Sequence, residues 1–171
     1  MPASRFHLWL RWTLATVAAS VLVFLLPGWT AAVAFGGTVG AFQALALLGR
    51  IRQPWFWVLA SVVGWTLGLA ASYGAHALGR MAGVSHLPIA VYSAVAAAVP
   101  ATAQFLVLRR EVLGAAWWIP ANAAAWGLAF AVGFAAATGR LLPVTAAGAL
   151  SGLIGGALTG AELVWLLHRR R

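Results

Sequence analysis

The chain alternates between long apolar runs and short breaks that carry its arginines. A helix crossing a bilayer needs roughly 20 apolar residues, because nothing in hydrocarbon can satisfy a bare backbone amide. The runs read as helices over 8–26, 30–49, 55–75, 87–108, 115–136 and 143–167, and six such units with short turns use up the 171 residues. Prolines punctuate them. Pro54, Pro88 and Pro143 stand at or near helix starts, where a missing N–H costs nothing, and Pro27 with Gly28 closes the first run. Pro100 falls inside the fourth helix and is expected to kink it, whereas Pro120 lies near the unpaired first turn of the fifth.

Composition agrees with the runs. A chain that is 63% hydrophobic and 8% charged has too little polar surface to stay in water. The expected fold is therefore an all-α integral membrane bundle of about six transmembrane helices in a single domain, 1–171. A net charge of +9 would suggest nucleic acid if it formed a patch, but all eleven basic residues are arginines placed at the ends of apolar runs. Arg5, Arg11, Arg50, Arg52, Arg109, Arg110, Arg169, Arg170 and Arg171 fall on one side of a six-helix arrangement, and Arg80 and Arg140 on the other. The positive-inside rule then puts both termini in the cytoplasm of a bacterial, multi-pass inner membrane protein. The expected partners are membrane lipids and other membrane protein subunits, not nucleic acid. The first run, with arginines before it and Ala32-Val33-Ala34 after it, also has the layout of a secretory signal. The transmembrane reading is preferred because losing that helix would leave the sides of Arg50 and Arg171 to be explained separately.

An internal repeat runs through the chain. The segment from Gly40 to Gly68 recurs in outline from Ala101 to Ala129, with Trp57 and Trp65 spaced like Trp118 and Trp126. A partial third copy begins at Gly156, where Glu162 precedes Arg169 by the interval that separates Gln43 from Arg50. The bundle is thus expected to be three pseudo-repeated helical hairpins. In each, one helix ends in small residues, a Gln or Glu, leucines and arginines, and the next enters through tryptophans. In this pattern of Gly, Gln, Leu-Arg, Trp-Trp and Gly-Trp the chain resembles a broad group of small bacterial membrane proteins, over about residues 36–171. The resemblance implies a polytopic membrane fold and brings no activity with it.

Seven tryptophans, Trp9, Trp12, Trp55, Trp57, Trp117, Trp118 and Trp165, lie beside the arginines and read as an interfacial belt. Trp65 and Trp126 stand two turns deeper and are candidates for packing or for lining a cavity. Small residues at i, i+4 spacing (Ala15 and Ala19; Gly36 and Gly40; Gly152, Gly156 and Gly160) favour close helix packing, within the chain or against a second subunit. Gln43, Gln104, Glu162, Ser61 and Asn122 are expected to share one polar layer inside the membrane. Such a layer either glues helices or lets Glu162 exchange a proton or bind a cation.

No catalytic set emerges, and an enzyme is not expected. His7, His76, His86 and His168 fall near helix ends or in loops, with no carboxylate at a metal-ligand spacing, so neither metal nor cofactor is expected. With no cysteine, thiol chemistry is excluded. The favoured reading is a structural or accessory membrane subunit that packs against a larger assembly and lipid. The alternative is a small carrier or channel-like protein for a proton, an ion or a small apolar molecule.

Overall fold

The computed structural model describes residues 3–23, 28–81 and 89–169. These residues form six α-helices: α1 (Ala3–Val23), α2 (Gly28–Leu47), α3 (Pro54–Met81), α4 (Ile89–Leu108), α5 (Trp118–Thr138) and α6 (Val144–Leu167). One 3-10 turn, Ala115–Trp117, leads into α5. Four stretches, Pro54–Gly79, Ile89–Leu108, Ala115–Thr138 and Val144–Leu167, are long and apolar enough to cross a membrane, which marks the chain as a membrane protein. The apolar part of α2, Val33–Leu47, is shorter, and α1 carries Arg5 and Arg11 in its first half.

Local chemistry sets the ends of these helices. Pro54 opens α3 and Pro143 caps α6, positions where proline loses no helical hydrogen bond. The turns after α2 and α4 are built alike. Gly49 (φ 70°) and Gly114 (φ 74°) adopt the left-handed conformation that glycine enters without a Cβ clash. Ile51 N–H donates to Leu47 O at 3.3 Å and Val112 N–H to Leu108 O at 3.0 Å, and both side chains turn into the core. Leu113 N–H donates to Arg169 O at 2.7 Å, tying the second turn to the end of α6.

Each helix packs on its neighbours in sequence, and α1 closes on α6, so the six make a ring. The α3–α4 contact shows how closely the backbones approach. A Cβ at Gly64 would collide with Pro100, and one at Gly68 with the Ala96 carbonyl. That carbonyl is the one Pro100 cannot engage, having no N–H, so glycine on α3 gives it room.

The elements depart from expectation chiefly at α3. Its helix runs on to Met81 rather than ending near residue 75, which brings His76 out of the expected loop and onto the helix. The reason is backbone propensity: after Ala70 the sequence loses hydrophobicity but stays rich in alanine, with no proline until Pro88. His76 is exposed, with its ring edge-on to Tyr92 at 5.0 Å. His86, Pro27 and Pro88 lie outside the described residues.

Candidate functional site

The axis of the ring is filled by indoles from the odd-numbered helices. Trp12 of α1 and Trp57 of α3 are 0% exposed, and Trp118 of α5 is 1% exposed. Their rings meet edge to face in all three pairs, at 5.6 Å (Trp12–Trp57), 6.0 Å (Trp12–Trp118) and 5.5 Å (Trp57–Trp118) between centroids. Such contacts align the positive ring edge with the negative ring face. These three, expected from the sequence in the interfacial belt, are thus buried on the axis and face neither lipid nor water. Trp55, Trp117 and Trp165 are the outward-facing members, and Trp9 is half-buried, donating its Nε1–H to Ala157 O at 2.9 Å.

Burying three indoles leaves three N–H groups to satisfy, and each finds an acceptor on an even-numbered helix. Trp57 Nε1–H donates to Gln43 Oε1 at 3.0 Å, and Trp118 Nε1–H to Gln104 Oε1 at 2.9 Å. Trp12 Nε1–H donates to Thr159 Oγ1 at 2.9 Å. The amides carry the chain of bonds onward: Gln43 Nε2 donates to Thr16 Oγ1 at 3.2 Å and Gln104 Nε2 to Ser61 Oγ at 2.9 Å. Thr16, Ser61 and Asn122, each four residues after an axial tryptophan, donate back to the carbonyls of Trp12, Trp57 and Trp118. All of these side chains are buried.

Of the expected polar layer, Gln43, Gln104, Ser61 and Asn122 therefore lie in one buried network, and Glu162 does not join it. Its carboxylate oxygens are buried with no hydrogen-bond partner among the described residues. Thr159 stands in its place. The cause is register: Thr159 follows Gly156 by the interval at which Gln43 follows Gly40, but α6 continues three residues further before its arginines. Counting back from Arg169 lands almost one helical turn too late. The residues missed by sequence reasoning, Trp12, Thr16 and Thr159, were marked by two signals. One was the glycine-anchored spacing, and the other the i, i+4 pairing of a tryptophan with a hydroxyl or amide.

A second aromatic layer lies beside the first. Phe35, Trp65 and Trp126 meet edge to face at 4.7, 5.5 and 5.3 Å, and Phe130 packs on Trp126 at 5.2 Å. An enclosed cavity of about 10 Å³, close to the size of one water, is lined by Gln43, Trp65, Pro100, Gln104, Asn122 and Trp126 among others. Trp65 and Trp126 thus both pack and border a cavity.

The small residues face inward. A Cβ on Gly40 would stand 2.7 Å from Ser61 Cβ and 3.1 Å from Val58 Cα, and one on Gly156 2.9 Å from Thr16 Cβ and 3.1 Å from Thr13 Cα. Gly36 and Gly152 likewise meet Val62 Cα and Val17 Cα, each at 2.8 Å. The α6–α1 contacts thus reproduce the α2–α3 contacts residue for residue. By contrast, a shallow groove of about 520 Å³ between α4 and α5 stays uncovered. Its lining includes Ala90, Ala94, Ala98, Ala123, Ala124 and Gly127.

The fold and site define a helical membrane protein whose axis is closed by two aromatic layers and bonded by neutral side chains. The network is built from Trp, Gln, Thr, Ser and Asn, none of which titrates at ordinary pH. No protein family, no curated protein and no solved structure matches this chain.

Proposed function

We propose that this protein is a non-enzymatic accessory subunit, a six-span bundle of three pseudo-repeated hairpins in the bacterial inner membrane with both termini cytoplasmic. Two of the hairpins are α2–α3 and α4–α5. The third is assembled from the two ends of the chain, α6 followed in space by α1. Support comes from the matched glycine contacts and from the three indoles, each bonded to the helix that precedes it in its hairpin. The arginine distribution supports the orientation.

The observation that carries the accessory role is the α4–α5 groove. In lipid, helices associate where small residues let backbones come close, and the Gly36–Gly40 and Gly152–Gly160 stripes are already covered by α3 and α1. The Ala90-Ala94-Ala98 stripe meets Gly127 of α5 along one edge and stays partly exposed along the groove. Its occupant is an apolar transmembrane helix of a partner subunit. The test is a photo-crosslinking residue at Ala94 or Ala98 in native membranes, with exposed Leu153 on α6 as the control. A protein adduct of one fixed mass from the groove and none from Leu153 is expected. Lipid adducts alone at all three positions would overturn the reading.

A carrier or channel-like role is favoured by one observation, the buried carboxyl of Glu162 with no hydrogen-bond partner among the described residues. Against it stands the axis, where aromatic rings leave room for about one water.

A further inference from the structure

A second groove, of about 450 Å³, runs between α3 and α4 on the side of the molecule away from α6. Phe56, Leu59, Ala60 and Val63 of α3 line one wall, and Ala103, Leu106, Val107 and Arg110 the other. Phe56, Leu59, Ala60 and Val63 form a continuous stripe on α3, and Ala103, Leu106 and Val107 one on α4, with Arg110 in the turn just beyond it. Seven residues of helix make the trough about 10 Å long. Its shaft is apolar and lies on two helices able to cross a membrane, and its mouth is polar, formed by Gln53, Arg110 and Glu111.

The mouth carries both signs of charge. Only two acidic residues exist in the chain, and Glu111 places one of them beside Arg110, on the end of the molecule otherwise marked by arginines. Glu111 Oε1 accepts the Arg52 backbone N–H at 3.2 Å, which fixes the carboxylate at the groove entrance. Arg110 is exposed there. A cation alone would suit any anionic headgroup, but the adjacent carboxylate repels a purely anionic one. It accepts hydrogen bonds from a primary ammonium and not from a quaternary one.

We infer that this groove binds a phospholipid with a primary-amine headgroup, phosphatidylethanolamine in chemical class. The phosphate pairs with Arg110, the ammonium with Glu111, and one acyl chain lies along Phe56 to Val63. The site is independent of the α4–α5 groove and of the accessory role, so either can fail without the other.

The test is lipid retention by the full chain. The protein is purified in mild detergent, equilibrated with phosphatidylethanolamine, phosphatidylcholine and phosphatidylglycerol in turn, and bound lipid is counted by native mass spectrometry. Phosphatidylethanolamine is expected to be retained about fivefold better than either other lipid, the ratio that one headgroup contact of about 1 kcal/mol gives. Glu111→Gln keeps an oxygen for the Arg52 N–H, so folding is preserved, and should reduce phosphatidylethanolamine to the phosphatidylcholine level. Arg110→Gln should weaken all three. Equal retention of the three lipids, a preference for phosphatidylglycerol, or an unchanged preference in Glu111→Gln would overturn the assignment.

Discussion

An indole N–H buried in an apolar bundle has no water to bond, and leaving it bare costs about 1–3 kcal/mol. The three axial tryptophans meet that demand with Gln43, Gln104 and Thr159, so the network satisfies the requirement of three large buried rings. Glu162 breaks the pattern. Its two oxygens are buried with no hydrogen-bond partner among the described residues, a cost that no bond there offsets. Glu162→Leu, close in size and without polar atoms, should therefore leave stability unchanged or raise it by about 1–3 kcal/mol, read as the midpoint of unfolding in a denaturing detergent. A clear loss of stability would mean that the carboxyl holds an ion or partner, and would favour the carrier reading. Belt and core tryptophans both look like Trp beside Arg in one dimension. What separates them is the face they share: Trp57, Ser61 and Trp65 lie at i, i+4, i+8, whereas Trp55 aligns with exposed Leu59.

Helices in this protein are held by close approach as much as by hydrogen bonds. Gly156 sits where any side chain would press on the backbone of α1, with Thr13 Cα 3.1 Å from an added Cβ. Gly74, near the end of α3, has nothing within 4 Å of one. Gly156→Ala should thus destabilise the protein by about 1–3 kcal/mol by prising α6 from α1. Gly74→Ala should raise stability by up to about 1 kcal/mol through helix propensity. Reversal of that order in the same unfolding assay would show that α1 and α6 are not in contact. The number of helices was legible from apolar run length, and the starts of α3 and α6 from Pro54 and Pro143. The end of α3 was not. Hydropathy reports which solvent a segment prefers, and the alanine-rich stretch to Met81 keeps its helix after it ceases to be apolar.

At the scale of the whole molecule, the chain closes a ring by bringing α1 against α6, so its first and last helices make the contact that adjacent helices make elsewhere. The sequence hid this arrangement because the residues of the α6–α1 contact stand at the two ends of the chain. Trp12 and Thr16 stand far from Gly156 and Thr159 in the chain and face them only in the fold. Counting from the arginines also placed Glu162 where Thr159 belongs, since α6 is longer before its arginines than α2 is. α1 packs antiparallel on α6, so α1 starts and α6 ends on the side of the Arg50 and Arg109 turns, as the proposed six-span topology requires. Because the chain has no cysteine, single cysteines at Ser4, Arg50, Arg109, Arg140 and His168 can be labelled one at a time with a membrane-impermeant maleimide in oriented vesicles. Labelling of positions 4, 50, 109 and 168 from the cytoplasmic face and of position 140 only from the opposite face is the predicted result, and labelling of positions 4 and 168 from opposite faces would contradict the six-span ring.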